Sequence, residues 1–148
     1  MGLYNSIEVS ASGLSAERVA MDVIANNIAN VNTTRTAEGG PFKRQLVVFQ
    51  QKNEPAAPGS AAAASGDPGA SDAGVNVVGV VADQSGDRLV YDPSHPDADP
   101  NGYVHYPNVD VVKEMVDMMA ASRAYEANVT AIQEARQMGN AVIGLLRS

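Results

Sequence analysis

Cysteine and tryptophan are both absent from the 148-residue sequence, and only 5% of its residues are aromatic. Without cysteine the chain can form neither disulfides nor thiolate metal sites. So few aromatic side chains could not fill a large globular core, which favours a small domain carried on long helices. No apolar run approaches the roughly 18 residues that cross a bilayer, and the first residues (MGLYNSIEVS) lack the basic start and apolar core of a cleaved signal. We therefore expect no direct membrane insertion and no cleaved signal peptide.

The negative charge lies almost entirely in the middle of the chain. The net charge is −7, and residues 53–110 contribute −8 from nine acidic residues and one basic residue. Residues 1–52 sum to +1 and residues 111–148 to zero. An acidic centre argues against a nucleic-acid surface, and near-neutral ends suit helices buried in an assembly.

Apolar residues follow helical spacing at both ends of the chain. Near the start, large apolar residues recur every seven positions, which predicts a helix from Leu3 to about Asn30 with an interruption expected at Ser12-Gly13. A 3-4 alternation from position 111 onwards predicts a second helix. Repeats averaging 3.5 residues keep one stripe against a partner helix, as in a coiled coil. The two stripes comprise Ile7, Leu14, Met21 and Ile28, and Val111, Met115, Met118, Ser122, Tyr125, Val129, Ile132, Arg136, Gly139, Ile143 and Leu146.

The residues between the two helices predict a small β unit. Three segments rich in β-forming residues read as strands: FKRQLVVFQQ (42–51), VNVVGVVA (75–82) and RLVY (88–91). Residues 53–74 lack any large apolar side chain, so we expect a flexible loop there, and the four prolines of 92–107 predict a turn-rich loop. Asn108 or Asp110 would then cap the second helix, with Asp110 and Glu114 near its positive end.

The expected fold class is therefore α+β and mainly α, with long N- and C-terminal helices packing as a coiled coil, a small β-rich central segment and a flexible loop. We expect three regions: an N-terminal helix with an Asn-rich motif at 1–34, a β-containing centre at 35–110, and a C-terminal helix at 111–148.

Two features of the 92–108 loop could bind a metal ion. The segment DADPNG at 97–102 matches the first six positions of an EF-hand calcium loop, but its twelfth position is Asn108 instead of a bidentate glutamate. His95 and His105 lie nearby, without a helical ligand pair or a nucleophile motif. A structural loop with surface histidines is the better interpretation, and we predict no metal, no cofactor and no enzymatic activity.

The Asn-rich run ANNIANVNTT at 25–34 has two interpretations. Asparagine tolerates left-handed backbone and competes for backbone hydrogen bonds, so the run could be a helix end with repeated capping. It could instead be a polar surface that hydrogen-bonds neighbouring subunits. Composition alone favours capping.

Taken together, ANNIANVNTT and the segment MMAASRAYEAN at 118–128 resemble the paired terminal motifs of the bacterial flagellar rod and hook family. Three further segments resemble its proximal-rod branch: TRTAEGGPF (34–42), RLVYDPSHPDAD (88–99) and GYVHYPNVD (102–110). The resemblance covers nearly the whole chain, and residues 53–74 depart from it.

This resemblance implies an axial structural subunit of the basal-body rod, which spans the periplasm and transmits torque. The terminal helices would line a helical tube, and the chain would be exported from the cytoplasm through the flagellar type III export apparatus. Implied partners are other copies of the chain, adjacent proximal-rod and distal-rod proteins, and rod-capping or muramidase factors. Residues expected to mediate assembly are Ile7, Leu14, Met21, Asn26, Asn27, Ile28, Asn30, Asn32, Met115, Met118, Arg123, Tyr125, Glu126, Asn128, Val129, Ile132, Ile143 and Leu146.

Two alternatives remain open from the sequence. A calcium-binding or coiled-coil adaptor module would also show terminal helices and an acidic middle, but it need not leave the cell. The other alternative is a different member of the rod and hook family, and the proline-rich segment 92–110 argues against it.

Overall fold

A computed structural model describes residues 3–52 and 74–146 of the chain. The loop predicted to be flexible lies outside these residues, apart from Gly74. Helices account for about half of the described residues, which confirms a mainly α member of the α+β class. The elements in chain order are α1 (Leu3–Ala29), β1 (Gln45–Gln51), β2 (Val75–Ala82), β3 (Arg88–Tyr91), β4 (Tyr103–Tyr106) and α2 (Val111–Leu146).

Helix α1 runs without a break, so the interruption expected at Ser12-Gly13 is wrong. The Ser12 hydroxyl donates to the Val9 carbonyl 2.7 Å away, one turn earlier, which satisfies its polar group inside the helix. The helix ends at Ala29, where the Asn30 side-chain amide donates to the Asn26 carbonyl at 2.9 Å. The predicted asparagine capping therefore operates at this end.

Strands β1 and β2 form a two-stranded sheet. Hydrogen bonds beyond the two ends of the pair, from Asp83 N–H to Arg44 O and from Lys52 N–H to Gly74 O, show that the strands are antiparallel. β2 has its predicted bounds, but β1 begins three residues later than predicted. The reason is that the Phe42 N–H bonds to the Thr33 carbonyl at 3.0 Å, which holds the start of this segment at the end of the Asn-rich run.

Strand β4 was not predicted, since residues 92–107 were expected to be a loop throughout. It pairs antiparallel with β3, from Arg88 opposite Tyr106 to Tyr91 opposite Tyr103. The four prolines of the segment all lie outside β4, so every residue of β4 keeps the backbone N–H that can pair with β3. The turn before β4 includes Gly102 at φ +82°, a conformation that glycine adopts without strain.

Helix α2 begins at Val111, as predicted, and Asp110 is its cap. The Asp110 carboxylate accepts the Val112 N–H at 2.9 Å. Asn108, the other candidate cap, has a different role. Its side chain accepts the Arg44 N–H at 3.0 Å and donates to the Ser85 hydroxyl at 2.7 Å.

The chain divides into two compact units. The first contains, among the described residues, 3–18, 49–52, 74–78 and 122–146. Ala16 of α1 and Ala135 of α2 are buried in it. The Ser12 hydroxyl accepts the Val75 N–H at 3.1 Å and so fixes the start of β2 beside α1.

The second unit comprises Val19–Val48 and Gly79–Ala121. Its buried apolar residues are Ala20, Val104, Val109 and Ala121, with Pro107 also fully buried. Two polar side chains, Asn27 and Glu114, are buried among them. Neither helix, within the ranges that the structure describes, is long and apolar enough to cross a membrane.

Candidate assembly site

The Asn27 side chain, only 1% exposed, joins the end of α1 to the start of β1. Its carbonyl oxygen accepts the Gln45 N–H at 2.8 Å, and its amide nitrogen donates to the Gln45 carbonyl at 2.9 Å. One side-chain amide thus pairs with both backbone groups of Gln45, as a neighbouring strand would. These two hydrogen bonds fix the Asn-rich run against the β part of the second unit.

Glu114 on the first turns of α2 is fully buried, and both of its carboxylate oxygens have partners. Oε2 accepts the second amide hydrogen of Asn27 at 2.9 Å, and Oε1 accepts Nε–H of Arg44 at 2.5 Å. Arg44 also reaches Asp117 at 3.4 Å. We call Asn27, Arg44, Gln45 and Glu114 the Glu114 cluster. It joins α1, α2 and the segment leading into β1, because each element contributes a polar group that the others satisfy.

A second cluster of polar and charged residues lies around β4 at the surface. Lys43 pairs with Asp87, and His105 lies between Asp87 and Asp99, 3.4 Å and 2.9 Å away. The hydrogen bond from Lys43 holds the pKa of Asp87 below its ordinary value, and the contact with His105 adds to this. Hydrogen bonds from Ser85 and Ser94 likewise lower the pKa values of Asp83 and Asp92. These acidic side chains therefore order turns of the β part.

The loop that resembles half of a calcium site uses its carboxylates for protein contacts. Asp97 accepts the Thr34 hydroxyl at 2.9 Å and faces Arg35 at 3.8 Å. Asp99 contacts His105. Among the residues with described positions, no three histidine or acidic side chains converge as a metal site requires.

Helix α2 exposes a stripe of apolar side chains within the second unit. Val112 is 71% exposed and Met115 is 53% exposed, and Val116 and Met119 are similarly accessible. These positions are spaced i, i+3, i+4 and i+7, so they share one helix face. We call these four residues the α2 stripe. In the first unit, Met138, Val142 and Ile143 are also more than half exposed.

The residues predicted to mediate assembly differ widely in burial. Asn27 is buried, whereas Asn26, Asn32, Met115, Arg123, Glu126 and Ile143 are exposed. The side chain of Leu146 lies outside the described part of the chain. The remaining residues are half-buried: Ile7, Leu14, Met21, Ile28, Asn30, Met118, Tyr125, Asn128, Val129 and Ile132. The assembly role of the whole set stays a prediction.

The sequence reasoning singled out Asn27 but did not predict that small and polar residues would be the most deeply buried. It placed Glu114 at the positive end of α2 without predicting its burial, and it did not single out Arg44. A signal was present, because Gly13, Ala20 and Asn27 fall seven residues apart in α1, as do Glu114, Ala121, Asn128 and Ala135 in α2. A seven-residue repeat keeps these small and polar side chains on one face of each helix.

Two family models match the chain, and both describe proteins of the flagellar basal-body rod. "Flagella basal body rod protein" matches residues 7–35, which hold most of α1 and its Asn-rich end. "Flagellar basal body rod FlgEFG protein C-terminal" matches residues 101–145, which hold β4 and nearly all of α2. The two terminal helices and their motifs thus define the class as that of the flagellar basal-body rod proteins.

Individual relatives match over almost the full length of the chain. The flagellar basal-body rod protein FlgC of Borreliella burgdorferi is 46% identical over 99% of both chains. FlgC of Bacillus subtilis is 44% identical over 93% of this chain and 94% of its own. FlgC of Salmonella typhimurium is 40% identical over 93% of each. The chain therefore belongs to the FlgC family of flagellar basal-body rod proteins.

This membership decides between the functions that the sequence left open. The chain is a structural component of the flagellar basal body and not an enzyme. The calcium-binding and adaptor alternatives are not favoured.

Proposed function

We propose that this chain is a subunit of the proximal rod and joins other copies and neighbouring rod proteins through its terminal helices. The proposal rests on the α2 stripe, a row of valine and methionine side chains that are exposed in the second unit. An exposed apolar row on a long helix marks a surface that another protein covers. The FlgC relatives are named as basal-body rod proteins, which indicates the kind of partner.

The energetics of such a contact are adequate for assembly. Fully burying a valine or methionine side chain contributes roughly 1.5–3 kcal/mol, and side chains already half-buried contribute less. The four residues of the α2 stripe would together contribute several kcal/mol, before the cost of association. A rod also requires contacts between different faces of successive subunits, because such contacts continue as a helix instead of closing into a dimer.

The predicted assembly residues fit this proposal in different ways. Met115 belongs to the α2 stripe, and Ile143, Arg123 and Glu126 are exposed on α2, so each is available to a neighbour. The half-buried positions would become fully buried when a subunit joins the rod. The division into regions 1–34, 35–110 and 111–148 is part of the same proposal, in which the outer two regions form a tube and the acidic centre faces outwards.

The remaining parts of the proposal concern location and route. We propose that the chain lies in the part of the basal body that spans the periplasm and transmits torque there. It would reach this place through the flagellar type III export apparatus, without signal cleavage. Membership of the FlgC family and the resemblance of the terminal motifs support both statements.

The decisive experiment places a charge in the α2 stripe. Cells lacking the gene are complemented with the wild-type chain, Met115→Asp, or Ala37→Asp, which puts the same charge on an exposed loop residue. We expect Met115→Asp to abolish complete rods in electron micrographs of basal bodies, and to abolish motility, while circular dichroism shows a folded chain. Ala37→Asp should behave as wild type. Normal rods with Met115→Asp would contradict the role of the stripe, and intact basal bodies in cells without the gene would overturn the rod assignment.

Leu14→Asp and Ile132→Asp test the half-buried positions. Both should block rod assembly while export continues, detected as chain secreted into the medium. Because these two side chains are partly buried in the free chain, their variants should also unfold at lower temperature than Met115→Asp. Normal rods from either variant would contradict the role of the half-buried stripes.

A further inference from the structure

Three separate segments of the chain converge on the carboxylate of Glu114. Helix α2 supplies Glu114 itself, α1 supplies Asn27 at 2.9 Å, and the residue before β1 supplies Arg44 at 2.5 Å. The Glu114 side chain is fully buried and that of Arg44 is 12% exposed. All three belong to the same compact unit of the chain.

A carboxylate in such a place needs every one of its partners. Removing an ionised carboxylate from water costs several kcal/mol, which hydrogen bonds and a cation must offset. Among the described contacts, the cation that forms an ion pair with Glu114 is Arg44. If α1 and α2 enclosed Glu114 without the β1 segment, its carboxylate would have the Asn27 amide as a partner but not the Arg44 cation, and its charge would be uncompensated.

Asn27 imposes the same condition from the side of α1. Its two hydrogen bonds to the Gln45 backbone form only when the β1 segment is in place. Without that segment, the carbonyl oxygen of a buried amide would have lost the donor that it has in the structure, an unfavourable state. Both buried polar residues of this helix pair therefore depend on residues 44 and 45.

We propose that the Glu114 cluster is a conditional latch: α1 and α2 pair within the second unit only when Arg44 and Gln45 have docked between them. The isolated terminal segments would stay apart, and folding of the β part would permit helix pairing. The α2 stripe would then be presented on a fixed helix only by a chain that has completed its β part. This last consequence rests on the proposed function, but the conditional pairing itself does not.

The test uses the full-length chain, whose lack of cysteine permits clean labelling. The substitutions Ala25→Cys on α1 and Val116→Cys on α2, at exposed positions outside the cluster, provide the sites for spin labels. Electron paramagnetic resonance then reports the distance distribution between the two helices in the free chain. Circular dichroism gives helix content and the unfolding temperature of the same samples.

Three variants distinguish the latch from simple packing. Arg44→Met keeps most of the side-chain volume but removes the cation. Arg44→Met combined with Glu114→Leu removes the charge that needs the cation. Lys43→Met, the control, removes the neighbouring cation, which pairs with Asp87 instead of Glu114.

For Arg44→Met we expect a broad distance distribution and an unfolding temperature lower by about 10 °C or more, since an unpaired buried charge is strongly destabilising. The double variant should recover the narrow distribution and at least half of the lost temperature. Lys43→Met should keep the narrow distribution. A narrow distribution in Arg44→Met would overturn the proposal. So would a double variant as broad as the single one, because Arg44 would then act through packing and not through charge. Since all readouts come from the free chain, failure here is distinct from failure to form rods.

Discussion

Gly13 of α1 lies so close to Asn128 of α2 that a Cβ atom on residue 13 would come within 2.9 Å of the Asn128 amide nitrogen. Glycine is an unfavourable residue inside a helix, costing up to about 1 kcal/mol relative to alanine. This contact accounts for the glycine, because any side chain at position 13 must displace the Asn128 amide. Asn128 also belongs to the C-terminal motif expected to mediate assembly.

Substitutions at position 13 should therefore depend steeply on size. Gly13→Ala gains helix propensity but must displace the Asn128 amide, which is the end of a flexible side chain, so its effect should be within about 1 kcal/mol of neutral. Gly13→Val should lower the free energy of unfolding by about 1–3 kcal/mol, because a branched side chain overpacks the contact. Urea denaturation followed by circular dichroism measures both.

The matched control is Gly144→Ala in the same unit, where nothing lies within 4 Å of the added Cβ. It should raise stability by up to about 1 kcal/mol through helix propensity alone. If Gly13→Val were as stable as Gly144→Ala, the close contact would not exist in solution.

The helices and β2 could be predicted because their signals are local. Large apolar residues at a 3.5-residue period predicted α1 and α2, and the valine-rich run predicted β2 with its observed bounds. Family membership followed from motifs that the sequence displays directly. Strand β4 could not be predicted in this way, because YVHY becomes a strand through pairing with β3, fifteen or so residues earlier, and prolines surround it.

The pairing of Glu114 with Arg44 could not be predicted for a different reason. A glutamate near a helix N-terminus is ordinarily a solvated residue whose negative charge interacts favourably with the helix dipole. Its burial follows from Arg44, which is 70 positions away in the chain, and nothing local to either residue indicates that they meet. Long-range polar pairs are decided by tertiary packing, which propensity and periodicity do not encode.

Gly102 should tolerate alanine less well than Gly39, although both have positive φ, at +82° and +86°. At Gly39 nothing lies within 4 Å of the added Cβ, so Gly39→Ala costs only left-handed backbone strain, about 1–2 kcal/mol. At Gly102 the Cβ would also lie 2.9 Å from the Tyr91 ring. Gly102→Ala should lose more stability in thermal unfolding, and equal losses would show that the ring simply moves aside.

The Lys43–Asp87 pair should make stability depend on pH in the acidic range. The hydrogen bond from Lys43 lowers the pKa of Asp87 in the folded chain. A carboxylate with a depressed folded pKa contributes stability that is present above its unfolded pKa of about 3.9, and that is lost as the pH falls through the folded value. Asp87→Asn should therefore be less stable than wild type at pH 7, with a difference that shrinks below about pH 4. Urea midpoints at pH 7, 4 and 3 give the comparison, and a difference independent of pH would contradict it.

The Asn-rich run contains residues with separate roles, which alanine substitutions should distinguish. Asn27→Ala removes the partner of both Gln45 backbone groups and one partner of Glu114, so it should cost about 2–4 kcal/mol of stability. Asn30→Ala removes bonds to Asn26 at an exposed helix end and should cost about 1 kcal/mol or less. Asn32 is exposed, so Asn32→Ala should leave the unfolding temperature unchanged. If the exposed part of the run contacts neighbouring subunits, Asn32→Ala should nevertheless reduce motility in complemented cells. Wild-type motility would contradict such a contact at Asn32, and the roles of the run would then be helix capping and the attachment of β1.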